Sequence, residues 1–191
     1  MVMSRGEALR DGLGLEDAEG LELRLDEPMA KHTTLRLGGP ADLWVRPTSA
    51  DALAQLLTRA HRASVPVRCV GGGTNLLVKD GGIRGVVVNL GKLNRVWRPD
   101  EAEAPTRVEV EGGSSTGRLL SRVTRWELGG LEFLGGVPGS VGGGLIMNAG
   151  TYLGEFTDVV TEVRSLDAAG RWVTRTHAEC GFRYRDSDLP A

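Results

Sequence analysis

The chain has 191 residues, 25% of them charged and 40% apolar, with a formal net charge of −2; it is long enough to bury one large core or two small ones and ordinary enough to be globular. Lysine and arginine are scattered, so the basic field of a nucleic-acid binder is missing, and no apolar run approaches the roughly 18 to 20 residues of a membrane span. Glycine departs from the average, with 28 residues, about twice the usual ~7% share.

Residues 1–20 mix charge and glycine without a sustained period and read as a short helix or lead-in. The opening MVMSRGEALRDGLG lacks the apolar core of a secretory signal, which makes the cytoplasm the default location. Leu21, Leu23 and Leu25 alternate with Glu22 and Arg24, the pattern of a half-exposed edge strand. In KHTTLRLGGPADLWVRP, residues 31–47, Leu35-Arg36-Leu37 and Leu43-Trp44-Val45 flank a Gly-Gly-Pro turn. Thr48 is the expected N-cap of a helix that carries Leu53, Leu56, Leu57 and Ala60 at i, i+3, i+4, i+7 and ends before Pro66. The apolar run Val65–Val70 then leads into Gly71-Gly72-Gly73-Thr74-Asn75. Leu76-Leu77-Val78, a Gly81-Gly82 turn and the strand Val86-Val87-Val88 complete an α+β unit over residues 21–92.

A second unit, residues 93–191, opens with strands at Arg95–Arg98 and Arg107–Glu111 on either side of the loop PDEAEAP. Ser115 or Thr116 caps a helix through Arg125, with Leu119, Leu120 and Val123 inward. Next comes GLEFLGGVPGSVGGGLIMNAG, residues 130–150, whose glycines, with Pro138 among them, leave a face of bare peptide suited to a flat, polar-edged ring. Val141–Met147 reads as a short helix with its first N–H groups toward a bound anion or carbonyl. Val159–Leu166 and Arg171–Thr176 form a hairpin closed at Asp167–Gly170.

A strand running into a glycine turn offers consecutive N–H groups to an anion, most often phosphate. A lone glycine run more often marks a tight turn, so the weight lies in two such stretches together with Tyr184-Arg185-Asp186. On the residues alone, Arg185 reads as a surface or ion-paired arginine, with Asp186 as the partner in the second case. Cys69 and Cys180 read as small buried hydrophobes, and His32, His61 and His177 form no ligand cluster, so no metal is expected. His32 is expected to be structural, His61 solvated and His177 at a strand end. Trp44, Trp97, Trp126 and Trp172 read as core or interface residues. Asn148 and Tyr152 flank the platform, where either local turn bonding or ligand contact accounts for them.

The order HTTLRLGGPADLWVRP, VGGGTNLLV, GLEFLGGVPGSVGGGLIMNAG, ECGFRYRDS resembles the UDP-N-acetylenolpyruvoylglucosamine reductase (MurB) family over most of residues 29–187. The resemblance implies an α+β, two-subdomain FAD-binding fold of the vanillyl-alcohol oxidase / p-cresol methylhydroxylase type, with FAD held non-covalently between the subdomains. It implies that Gly71, Gly72, Gly73, Thr74 and Asn75 hold the FAD pyrophosphate, and that Pro138, Gly139, Ser140, Val141, Gly143 and Gly144 lie along the isoalloxazine. It makes Arg185 catalytic and Tyr184 a substrate-side neighbour. Hydride would pass from NADPH through the flavin to the enolpyruvyl group of UDP-N-acetylglucosamine enolpyruvate, giving UDP-N-acetylmuramate for peptidoglycan. The family's serine proton donor and C-terminal glutamate have no counterpart in these residues. The chain therefore reads as the FAD-binding portion without the C-terminal substrate domain, expected to bind FAD but not to turn over alone. The competing expectations are a flavin oxidase or dehydrogenase of the wider fold acting on a small hydroxy acid or alcohol, and a non-catalytic flavin module. Oligomeric state is not legible.

Overall fold

The computed structural model describes residues 3–190, in two compact units. The first holds the residues up to Lys92 together with Ser165–Val173; the second holds Leu93–Arg164 and the residues from Thr174 onward.

The first unit begins with helix α1, Arg5–Gly12, closed by a capping box: Glu7 N donates to Ser4 Oγ at 3.1 Å and Ser4 N to Glu7 Oε2 at 2.7 Å. Strand β1, Leu21–Pro28, pairs antiparallel with β2, Pro40–Pro47. Helix α2, Ala50–Arg62, follows, then β3, Val67–Val70, and β4, Ile83–Asn89. The sheet order is β1-β2-β4-β3, with β4 parallel to both β2 and β3. The inner strands read as unbroken apolar runs because both of their faces are covered, and Leu43, Trp44, Val45, Val86, Val87 and Val88 are all buried. β1 alternates at the edge, as its leucine pattern predicts. β3 lies at the other edge, which leaves Cys69 exposed against expectation, whereas Cys180 is buried.

Helix α2 forms where the periodicity places it and buries Leu53, Leu56, Leu57 and Ala60, but its cap is Ser49, whose Oγ accepts from Ala52 N at 3.1 Å. Thr48 instead sends its hydroxyl to Gly20 O at 3.1 Å. Leu35–Leu37 joins no strand, and Leu35 and Leu37 stay exposed.

The second unit opens with the short antiparallel pair β5, Val96–Trp97, and β6, Glu109–Val110. Helix α3, Thr116–Arg125, is capped by Ser115, and helix α4, Val141–Ile146, by Ser140. Strands β7, Gly150–Thr151, and β8, Gly154–Glu155, make a small hairpin. A larger hairpin joins β9, Glu162–Leu166, to β10, Trp172–Thr176, and its tip is counted with the first unit. Val96, Leu119, Val123, Phe133, Leu134, Val141 and Phe156 form the core, with Phe133 and Phe156 edge to face at 5.7 Å. Among the described residues no helix is long and apolar enough to cross a membrane.

Candidate functional site

In the first unit the chain leaves β3 at Val70 and enters the turn Gly71–Asn75. Gly73 has φ +70°, and a Cβ there would lie 2.0 Å from His32 O, so only glycine lets the turn close onto the segment after β1. Thr34 N donates to Gly73 O at 3.1 Å and fixes that approach. At the end of β4, Asn89 Nδ2 donates to Gly71 O at 3.2 Å, while its Oδ1 accepts from Gly91 N at 3.1 Å. Sequence reading missed Asn89; a polar amide ending a run of valines was the available signal. Among the described residues, no backbone hydrogen bond is donated by Gly71, Gly72, Gly73, Thr74 or Asn75, and all but Gly73 are exposed. The exposed donors of Gly71, Gly72, Thr74 and Asn75 are thus left to water or to an outside acceptor, the donor set that suits a phosphate.

Beside this turn runs a groove of about 290 Å³, lined by Lys31 to Thr34, Gly71, Gly72 and Asn89. Its histidine is structural: the His32 ring stacks on Trp44 with centroids 3.7 Å apart, and its Nε2 is 3.0 Å from Glu27 Oε1. Glu27 is buried, and burial opposes its ionisation. Hydrogen bonds from His32 and Arg24 and the nearby Lys31 charge outweigh that cost and hold the carboxyl below its usual range.

In the second unit Gly139 and Ser140 pair with the loop before α3: Thr116 N donates to Gly139 O at 3.1 Å and Val141 N to Ser114 O at 2.8 Å. Gly142 N then donates to Gly112 O at 2.8 Å and Gly143 N to Ser140 Oγ at 3.3 Å. The first N–H groups of α4 are therefore satisfied inside the protein and do not face an anion, a correction to the sequence expectation. Packing uses much of the glycine here. A Cβ on Gly142 would press 3.1 Å from Gly112 O, and one on Gly144 would lie 2.4 Å from the Phe156 ring. Val141 and Gly144 are buried, so of the expected platform residues only Pro138, Gly139, Ser140 and Gly143 reach the surface. Among the described residues, no backbone hydrogen bond is donated by Gly139 or Ser140.

Tyr184 and Arg185 form the tip of a tight turn closed by Arg183 N to Asp186 O, 2.9 Å, and Asp186 N to Arg183 O, 3.2 Å. The ion pair is Arg183 with Asp186, Nη2 to Oδ2 at 2.7 Å; Arg183 Nη1 also reaches Asp188 Oδ1 at 2.8 Å. That Arg183 hydrogen bond is the largest influence holding the Asp186 carboxyl below its usual range. Of the two readings of Arg185 on the residues alone, the surface one holds: it is exposed and has no carboxylate partner among the described residues. Its Nη2 donates to Gly150 O at 3.2 Å, and its guanidinium lies 5.7 Å from the centre of the Tyr184 ring. The turn is tied to the end of α4 by buried Asn148, whose Nδ2 donates to Arg183 O at 3.1 Å and whose Oδ1 accepts from Thr157 N at 3.0 Å. Asn148 is thus engaged inside the protein, but through partners 35 and 9 residues away rather than through a local turn. Ser187 Oγ is engaged with Ile146 O at 3.0 Å. His177 follows β10, with Nε2 2.9 Å from Thr157 Oγ1, and His61 is exposed on α2. No cluster of three potential metal ligands occurs among the described residues.

A family model described as an FAD binding domain matches residues 41–176. A UDP-N-acetylenolpyruvoylglucosamine reductase from Anaeromyxobacter sp. (strain Fw109-5) is 44% identical over 170 residues, 89% of this chain and 52% of that protein. The crystal structure of the reductase (MurB) from Thermus caldophilus is similar at a TM-score of 0.68 and 31% identity, covering 89% of this chain and 57% of that one. A berberine bridge enzyme variant in complex with (S)-reticuline, at 19% identity and a TM-score of 0.62, shares the fold over 91% of this chain and 38% of its own. The chain spans about half the length of the curated relatives it matches.

Proposed function

Since the chain belongs to the FAD-binding domain family and has the α+β, two-subdomain fold of the vanillyl-alcohol oxidase / p-cresol methylhydroxylase type, we propose that it is the FAD-holding portion of a UDP-N-acetylenolpyruvoylglucosamine reductase. The reaction would reduce the enolpyruvyl ether of the UDP-sugar at the expense of NADPH, giving UDP-N-acetylmuramate for peptidoglycan in the cytoplasm. The observation that carries this reading is the guanidinium of Arg185, beside the Gly150 end of the platform and claimed by no carboxylate among the described residues.

FAD bound to these residues would supply hydride-transfer chemistry that amino-acid side chains do not offer. The free N–H groups of Gly71–Asn75 are the seat for its pyrophosphate, since a row of peptide donors and the Thr74 hydroxyl can hold a diphosphate. Pro138, Gly139, Ser140 and Gly143 are the surface for the flavin ring, with the N–H groups of Gly139 and Ser140 as donors to its polar edge. Val141 and Gly144 act from inside, by fixing the α4 backbone. Arg185 holds the substrate carboxylate and stabilises the negative charge that builds there, a task for a planar cation that stays protonated. Tyr184 lies beside it on the substrate side.

The test is spectroscopic. In the complete protein, the FAD-loaded form should shift its visible flavin spectrum on addition of UDP-N-acetylglucosamine enolpyruvate, and Arg185→Gln should remove most of the shift while leaving FAD bound. A protein that retains no FAD through gel filtration would end the proposal.

A further inference from the structure

The groove beside the glycine turn has two walls of different chemistry. Gly71 and Gly72 form one, uncharged and rich in unused N–H groups; Lys31 and Thr34 belong to the other, on the segment after β1. The walls are locked in register by the Thr34 N to Gly73 O bond and by the close approach of Gly73 to His32 O. Cationic side chains outnumber their carboxylate at this edge. Buried Glu27 is shared by the cations Arg24, through Nη1 at 3.1 Å, and Lys31, through Nζ at 3.5 Å, and the His32 ring Nε2 lies 3.0 Å from it. Lys31 makes the longest of these contacts, and its side chain is 62% exposed. It can therefore turn into the groove while Arg24 and His32 keep Glu27 paired.

We propose that Lys31 and Thr34 are the second wall of the diphosphate seat, with the Lys31 ammonium supplying a positive charge that the glycine turn lacks and the Thr34 hydroxyl supplying a hydrogen bond. A row of peptide N–H groups fixes the orientation of a diphosphate but carries only partial charge, so a nearby cation increases affinity and makes it sensitive to salt. This rests on the reading of the glycine turn as a phosphate seat.

The experiment titrates wild type, Lys31→Met, Lys31→Arg and Thr34→Val with FAD, with riboflavin, which lacks phosphate, and with inorganic pyrophosphate as a competitor of FAD, at low and high salt. Wild type is expected to prefer FAD strongly over riboflavin. Lys31→Met is expected to weaken FAD about tenfold, as the loss of one charge-assisted contact does, and to flatten the salt dependence with riboflavin binding unchanged; Lys31→Arg should restore most of the loss. Thr34→Val is expected to weaken FAD by a smaller factor. Unchanged FAD affinity and salt dependence in Lys31→Met, or an equal loss of riboflavin, would overturn the role of Lys31 and leave the glycine turn standing. Equal wild-type affinity for FAD and riboflavin would instead remove the phosphate seat itself. Because Lys31 is exposed, unchanged circular dichroism is expected in its variants and separates a binding loss from misfolding.

Discussion

Arg183 and Arg185 stand two residues apart and do opposite work. The first spends its guanidinium on Asp186 and Asp188, whereas the second meets no carboxylate among the described residues, donates to Gly150 O and lies by the Tyr184 ring. Sequence alone could not assign these pairings, because the tight turn folds Asp186 back onto the arginine three residues earlier rather than onto its neighbour. On the proposed function, Arg185→Lys in the complete protein should lower kcat by roughly a hundredfold, the scale of losing a directed donor to developing charge, with FAD affinity unchanged in a flavin titration. Gly144→Ala brings a methyl group to 2.4 Å from Phe156 and should cost about 1–3 kcal/mol by overpacking, read as a lowered denaturation midpoint. Glu27 gives a pH signature. Its carboxyl titrates below its ordinary value of 4.5, so its stabilising contribution is complete above that pH and is lost as the pH falls through the depressed folded value. Glu27→Gln should therefore flatten the acid limb of a stability profile recorded from pH 6 downward.

Elements with a strong period were legible, and α2 is the best case: four apolar residues at helical spacing fixed its buried face. Its first residue was harder to place, since Thr48 and Ser49 are both hydroxyl caps. The extended backbone at Ser49, with φ −144° and ψ 160°, puts its Oγ under Ala52 N, while Thr48 is held by Gly20. Ser49→Ala should accordingly cost about 1 kcal/mol in urea denaturation. The capping box Ser4-x-x-Glu7 lay open in the sequence at the head of α1, yet the mixed charge around it left a short helix and a loose lead-in as equal readings. At α4 the helix was legible but its partners were not. Which carbonyls meet its first N–H groups depends on the loop at Gly112–Ser114, nearly thirty residues away, and no local pattern encodes that.

A ligand that binds only the folded chain stabilises it by mass action. FAD at about a hundred times its dissociation constant should add about 2.7 kcal/mol, visible as a melting temperature that climbs with FAD concentration. The two-unit division itself was less legible than the elements, because the first unit is not continuous in sequence. Its last piece, Ser165–Val173, is the tip of the β9–β10 hairpin, where Ala169 O accepts from Thr58 Oγ1 at 2.9 Å and bare Gly170, at φ +80°, lies against Ala54 of α2. On the ribosome, Lys92 emerges long before that tip is made. At roughly 5–20 residues per second, the nascent first unit waits several seconds with this patch of α2 uncovered.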